Sequence, residues 1–169
     1  MYTSIAFLTR RETFSACHRL NSQYLTAEEN RETYGKCNNK NGHGHNYIVK
    51  VTVRGPIDPR TGMVMNINDL KGAMNAVITK TLDHKNLDID VDYFEKIPSS
   101  MENISVYIWD KLSINLKNPE LLYEIEIHET EKNSVVYRGP YLQNGAYTNG
   151  NGHRCRIISR NGNLTSESE

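Results

Sequence analysis

The run Cys37-Asn-Asn-Lys-Asn-Gly-His43-Gly-His45 sets a thiol six residues before two histidines spaced i, i+2. In an extended strand, side chains two apart point to the same face. His43 and His45 can therefore present two imidazoles to one ion, and Gly44 between them is expected to leave room for its approach. His18, on an earlier predicted strand, is the third candidate ligand. A lone histidine on an apolar face is often a hydrogen-bonded core residue, and that reading stands for each one singly. Three aimed at the buried faces of two neighbouring strands are harder to explain so. Three imidazoles without an evident fourth protein ligand match a catalytic Zn²⁺ site, which keeps one position open for water or substrate.

Cys37 lies in a polar, Asn- and Gly-rich loop, where a buried structural cysteine would be out of place. Beside Zn²⁺ its pKa could fall far enough to make it a base or nucleophile. Two other uses stay open: fourth ligand of a structural zinc, or an exposed thiol without a role. Cys17 has the opposite strand parity to His18 and reads as packing, and Cys155 reads as outside the chemistry.

Asp83-His84 closes a predicted helix. A histidine near a helix C-terminus is ordinary, because it interacts well with the dipole. The chemical alternative is a carboxylate that orients an imidazole for proton shuttling near neutral pH. Glu129 shares the parity of the apolar Tyr123, Ile125 and Ile127, so it points toward the core side. A carboxylate there is costly unless paired or hydrogen-bonded. Either the strand ends and its phase lapses, or Glu129 recognises a donor-rich, guanidine-like ligand edge, the mirror image of an Arg–carboxylate fork.

The elements that must position these groups are legible as periodicities. Residues 5–20 read as a long strand interrupted in its parity by Arg10 and Glu12, so a bulge or an exposed stretch is expected. Thr26 and Glu29 form a capping box for a short helix that Gly35 ends. Residues 43–54 alternate clearly, with Tyr47, Val49, Val51 and Val53 on the parity of His43 and His45. Asn68 is expected to cap a helix carrying Leu70, Ala73, Met74, Val77 and Ile78, ending near Leu82. Ser99 and Glu102 fit a second capping box, before a helix with Ile104, Tyr107, Ile108 and Leu112 on one stripe. Strands near 121–130 and 134–139 follow. The class expected is α+β: a four-stranded antiparallel sheet with two long helices packed on one face.

Composition narrows the function classes. The 169 residues suit one domain, and Lys plus Arg (20) balances Asp plus Glu (20), so no basic field marks a nucleic-acid surface. No apolar run approaches transmembrane length and the first eleven residues lack a signal-peptide core, so neither membrane nor export is expected. Three cysteines make no disulfide framework and fit reduced thiols in the cytoplasm. From Tyr141 onward Asn, Gly, Ser and charge dominate, and 141–169 is expected to be a largely disordered tail after a folded domain at 1–140.

In this order, the stretches Phe14-Ser-Ala-Cys-His-Arg-Leu20, Gly35 through Tyr47, Asp58-Pro-Arg-Thr-Gly-Met63, Leu82-Asp-His-Lys-Asn-Leu87, Glu102-Asn103 with Tyr107-Ile-Trp-Asp110, and His128-Glu-Thr130 resemble the 6-pyruvoyl-tetrahydropterin synthase family. The likeness covers roughly 5–140. It implies a Zn²⁺-dependent lyase that converts 7,8-dihydroneopterin triphosphate to 6-pyruvoyl-tetrahydropterin and triphosphate, on the way to tetrahydrobiopterin. By matching motif, His18, His43 and His45 would bind zinc, and Cys37 would move protons on the pterin side chain. Asp83 and His84 would be its relay partners, while Glu129 and the turn Ser100-Met101-Glu102 would bind the pterin. The metal would act as a Lewis acid on side-chain oxygens while a nearby thiolate takes up C–H protons. Magnesium on the substrate triphosphate is a further family expectation, although no Mg²⁺ motif is visible. The implied architecture is the tunnelling fold, in which three subunits join sheets into a barrel and two trimers stack as a homohexamer. Active sites then lie between subunits.

That turn is often Thr-Thr-Glu in the family and here reads Ser-Met-Glu, a mild change if it binds through backbone groups. The related 6-carboxy-tetrahydropterin synthases typically place three residues between the cysteine and His-Gly-His, whereas this chain has five. The spacing favours the pyruvoyl enzyme. From another class, a non-catalytic zinc protein with Cys37 as a ligand would leave Asp83-His84 and Glu129 unexplained.

Overall fold

Alternation of apolar and polar residues sets the two long strands that carry the site. β1 (Ile5–His18) and β2 (His43–Pro56) pair antiparallel in unbroken register, from Ile5 opposite Pro56 to His18 opposite His43. The computed structural model describes residues 4–140, 146–148 and 154–156. The chain divides into two compact units, Met1–Arg138 and Gly139–Glu169.

In the first unit, α1 (Ala27–Tyr34) and a 3-10 turn at Gly35–Asn38 join β1 to β2. Thr26 caps α1 in the expected box with Glu29, and Gly35 ends it. After β2 come α2 (Ile67–Met74), β3 (Lys85–Asn86), α3 (Leu87–Asp90), α4 (Met101–Asn115), β4 (Leu122–His128) and β5 (Ser134–Tyr137). α2 runs on into a π-helical turn at Asn75–Thr79. The cap of α2 is Asn66 rather than Asn68: its side chain accepts from the Asn68 N–H. α4 is likewise capped by Ser100, which accepts from Asn103 N–H, so the Ser99–Glu102 box does not form.

The sheet has five strands, not four, in the order β3-β1-β2-β4-β5. β3 pairs parallel with Ala16 and Cys17, which makes the sheet mixed. Two residues are too short to register as a period-two pattern. Nor does β1 bulge at Arg10 and Glu12; the pairing there is regular, with Arg10 and Glu12 half-buried and Thr9, Arg11 and Thr13 exposed, and the irregularity falls between Thr52 and Val53 on the β4 side.

One face of the sheet is covered. Phe14, Tyr47, Val49, Val51, Ile125 and Ile127 share a core with Leu70, Met74 and Ile78 from the first long helix and Ile104, Ile108 and Leu112 from α4. Burying each such side chain contributes about 1.5–3 kcal/mol. That face ends, on β1 and β2, in the three histidines.

In the second unit, β6 (Ala146–Thr148) pairs antiparallel with β7 (Arg154–Arg156). The rest of the stretch expected to be a disordered tail lies outside the described residues. Among the described residues, no helix is long and apolar enough to cross a membrane.

Candidate metal centre

The register of β1 on β2 decides which imidazoles meet. His18 lies directly opposite His43, and His45 is opposite Ala16, two residues along the same face. The ring centroids of the three lie 4.6, 4.8 and 5.4 Å apart. One ligand nitrogen from each falls within 4.8 Å of the other two. Gly42 lets the loop close onto this end: its φ is +72°, and a Cβ there would sit 2.9 Å from the His18 carbonyl oxygen. Gly44 acts differently from expectation. A Cβ on it would meet Ala16 O at 3.4 Å and Cys17 Cβ at 3.9 Å, on the opposite face, so it gives the ion no space. Strand alternation is the reason.

The donor set suits zinc. His18 is fully buried, and its Nδ1–H donates to the Ser99 carbonyl at 2.7 Å. That bond turns the Nε2 lone pair inward and is the outer-shell hydrogen bond that metal-bound histidines commonly make. Burial lowers the pKa of His18, followed by the nearby His43, while the Ser99 bond and the Glu129 charge oppose them. Burial likewise lowers that of His45. Both rings are therefore neutral near pH 7, the form a metal requires. His43 Nδ1 and His45 Nε2 are buried without a hydrogen-bond partner. His18 Nε2 and His43 Nε2 stand 3.2 Å apart. Two nitrogens bound at about 2.05 Å to one tetrahedral ion lie about 3.3 Å apart. The spacing of the His18 and His43 Nε2 atoms and the unpartnered His45 Nε2 beside them are what a metal would satisfy.

Three neighbours complete the surroundings. Tyr47 OH is 3.4 Å from His18 Nε2, and burial, then the Glu129 charge, pushes its phenol far above the usual range, so it stays protonated. Glu129 continues the inward phase of Ile125 and Ile127 one residue past the end of β4. Its Oε1 lies 3.6 Å from both His18 Nε2 and His45 Nε2. Asp88 accepts from Ser99 Oγ at 2.5 Å and from Arg19 N–H at 2.5 Å, tying the residue that holds the His18 ring to the end of β1.

Cys37 sits half-buried in the 3-10 turn, where its carbonyl accepts from Leu20 N–H at 3.0 Å. Its thiol is not part of the imidazole cluster. Asp83 and His84 stand at the edge of β1. Asp83 Oδ1 accepts from Ser15 N–H at 2.8 Å, and His84 N–H donates to Ser15 O at 2.7 Å. His84 has a φ of +59°, and its ring Nδ1 is 2.8 Å from Asp83 Oδ2 while 84% of the side chain stays exposed. The Ser15 N–H bond, then the His84 bond and charge, hold the Asp83 carboxyl below its usual range. Within one chain, the thiol that shares a groove with His84 is Cys17, together with Ser15, Asn46 and Asn86. Cys17 is half-exposed rather than packed in the core, because its parity faces away from the helices. Ser100 caps α4, Met101 is half-exposed and Glu102 exposed, one to three residues after the Ser99 carbonyl that holds His18.

The family model for 6-pyruvoyl tetrahydropterin synthase matches residues 7–140. The chain belongs to the 6-pyruvoyl tetrahydropterin synthase family. The 6-pyruvoyl tetrahydrobiopterin synthase of Drosophila melanogaster is 66% identical over 143 residues, 85% of each chain. That of Homo sapiens is 56% identical over 134 residues, 79% of this chain and 92% of the human one. Among solved structures, Caenorhabditis elegans 6-pyruvoyl tetrahydropterin synthase superposes with a TM-score of 0.80 at 47% identity, covering 83% of this chain and 100% of that one. Membership makes the chain an enzyme of the lyase class.

Sequence reasoning missed Ser99, Tyr47 and Asp88 as companions of this synthase-family triad. Tyr47 was legible only as a core residue, since its parity says where it points and not that its hydroxyl reaches His18. Ser99 and Asp88 act through a backbone carbonyl and a long-range carboxylate, and no periodicity reports either. Among the described residues, the histidine triad is the one group of three or more His, Cys, Asp or Glu side chains close enough to hold an ion. No carboxylate cluster for Mg²⁺ accompanies it there.

Proposed function

We propose that the chain is a zinc-dependent lyase that converts 7,8-dihydroneopterin triphosphate to 6-pyruvoyl-tetrahydropterin and triphosphate, in tetrahydrobiopterin biosynthesis. The convergence of His18, His43 and His45 at one end of the covered face carries the reading. A zinc ion held there supplies Lewis acidity to oxygens on the substrate side chain. The chain's own residues account for the remainder. Glu129, beside the triad and only 17% exposed, presents a carboxylate to the amidine-like edge of a pterin. The turn Ser100-Met101-Glu102 lies next along the chain from Ser99 and offers backbone groups to the same ring.

Cys37 takes up and returns protons on the substrate side chain. Asp83 fixes the His84 ring through its Nδ1 and leaves the other nitrogen exposed for proton relay. In a homohexamer built as two stacked trimers, the active sites would lie between subunits, so the thiol, the dyad and the zinc need not come from one chain. The family likeness supports that assembly, and the exposure of His84 fits a dyad completed by a neighbour. A cytoplasmic location fits the thiol chemistry.

The test is to load purified protein with Zn²⁺, add 7,8-dihydroneopterin triphosphate, and identify every product by mass. Inorganic triphosphate with 6-pyruvoyl-tetrahydropterin is expected. Release of acetaldehyde would instead identify the 6-carboxy reaction. An inert substrate would reduce the site to metal binding alone.

A further inference from the structure

We propose that the groove enclosed by α1, the 3-10 turn Gly35–Asn38 and the end of β1 is a polyphosphate site, seating the triphosphate tail of the substrate. The inference rests on the reading of the active site given above and assigns residues to a part of the substrate that the triad, Cys37 and Glu129 do not reach.

The groove has a volume of about 610 Å³ and is lined by Arg19, Arg31, Lys36 and Lys40, with the amide side chains of Asn38 and Asn39 among its other polar groups. Among the described residues, no acidic side chain lines it. In a chain whose charges cancel, four cations lining one groove are a local departure. Arg31 is paired with Glu28 outside the groove. Arg19, Lys36 and Lys40 make no ion pair among the described residues. Arg19 is also held in place: its Nε donates to Asn38 O at 2.9 Å and one Nη to Asn38 Oδ1 at 3.2 Å. A guanidinium fixed in this way keeps further N–H donors free and has lost its rotamer freedom before any ligand arrives.

Place and chemistry agree. Arg19 follows the ligand His18 directly, and the loop that carries Lys36 and Lys40 also carries Cys37 and runs through Gly42 into His43. The tail of the proposed substrate begins one carbon beyond side-chain oxygens that the metal would hold. Its charge must therefore be met close to the triad, and the cations of this groove sit on the two segments that directly flank His18 and His43 along the chain. Arginine and lysine donors bind phosphate oxygens through short, charge-assisted hydrogen bonds, and unpaired cations do so without first giving up a partner.

Lys36 and Lys40 are both exposed, so Lys36→Gln with Lys40→Gln removes charge without disturbing the core. The measurement is calorimetric titration of zinc-loaded protein with inorganic triphosphate at two salt concentrations. Wild type should bind, and the double variant should bind about tenfold more weakly or worse with a shallower salt dependence. Lys50→Gln with Lys117→Gln removes equal charge elsewhere and should change affinity by less than about twofold. In turnover, the Lys36/Lys40 variant should raise KM for dihydroneopterin triphosphate, while its affinity for unphosphorylated dihydroneopterin stays unchanged. No wild-type binding of triphosphate, or equal binding by the Lys36/Lys40 variant, overturns the inference even if the substrate is turned over. Triphosphate binding that depends on these lysines, with no turnover of the substrate, leaves the groove assignment standing and overturns the enzymatic reading instead.

Discussion

The two sides of β1 place chemistry in opposite ways. On the covered side, His18 is fully buried, its Nδ1 is fixed by Ser99, and two cross-strand histidines converge on it without help from outside the chain. At the edge, Asp83 and His84 are pinned through backbone bonds to Ser15, yet the imidazole points into solvent with 84% of its side chain exposed. A metal site must be assembled before the ion arrives, since each ligand nitrogen carries a desolvation cost that packing has to offset. The relay proposed for Asp83 and His84 needs access instead, and an exposed imidazole supplies it. One side is buried and fixed by folding, and the other is fixed in backbone yet open to solvent.

The sharpest way to break this contrast is to remove a ligand from the buried side. His43→Ala should take bound zinc from about one per chain to near zero and reduce turnover to background, read by elemental analysis alongside product assay. Retained zinc with full activity would mean that the triad is a packing cluster.

Next is the thiol. Cys37→Ala should lower kcat by about 10²–10⁴-fold with zinc content and melting temperature unchanged. Cys17→Ser tests the alternative within one chain, because Cys17 shares a groove with His84. It should leave activity within about threefold of wild type. The reverse pattern would move the base to the outer groove beside His84.

A smaller effect is expected from the carboxylate behind Ser99. Asp88→Asn should weaken zinc affinity by about 10–100-fold, measured by competition with a chelator. The smallest concerns Asp83, whose pKa is depressed on folding by the Ser15 N–H bond and by His84. A depressed carboxylate stabilises the fold above its unfolded pKa, and that stability is lost as pH falls through the folded value. Asp83→Asn keeps an acceptor for Ser15 and loses the charge. It should cost about 1 kcal/mol or less at pH 7, and the gap to wild type in urea midpoint should close as pH falls below about 4. A gap independent of pH would assign Asp83 a purely steric role.

Much of the site was legible because strands report direction. The parity of Tyr47, Val49, Val51 and Val53 named the buried face, and it carried His43, His45 and, past the end of β4, Glu129 onto that face. The same rule, applied to Gly44, would have shown that this glycine faces away from the ion. The caps of α2 and α4 were each misplaced by one or two residues because Asn66 and Asn68, or Ser99 and Ser100, are chemically equivalent candidates. The helix start goes to the residue whose backbone is extended, which is a property of the fold. β3 escaped notice because two residues carry no period.

By itself the chain's order of residues determined which side chains face the core, where the long strands run, and that three imidazoles are carried by two of them. Those facts depend on local geometry, where the period of a strand is fixed by its backbone. Only the tertiary structure decided that His18 lies opposite His43, that Ser99 and Asp88 hold the first ring, and that Cys37 and the Asp83–His84 pair stand apart from the triad within one subunit. Those depend on register and on contacts between segments tens of residues apart, which no local pattern encodes.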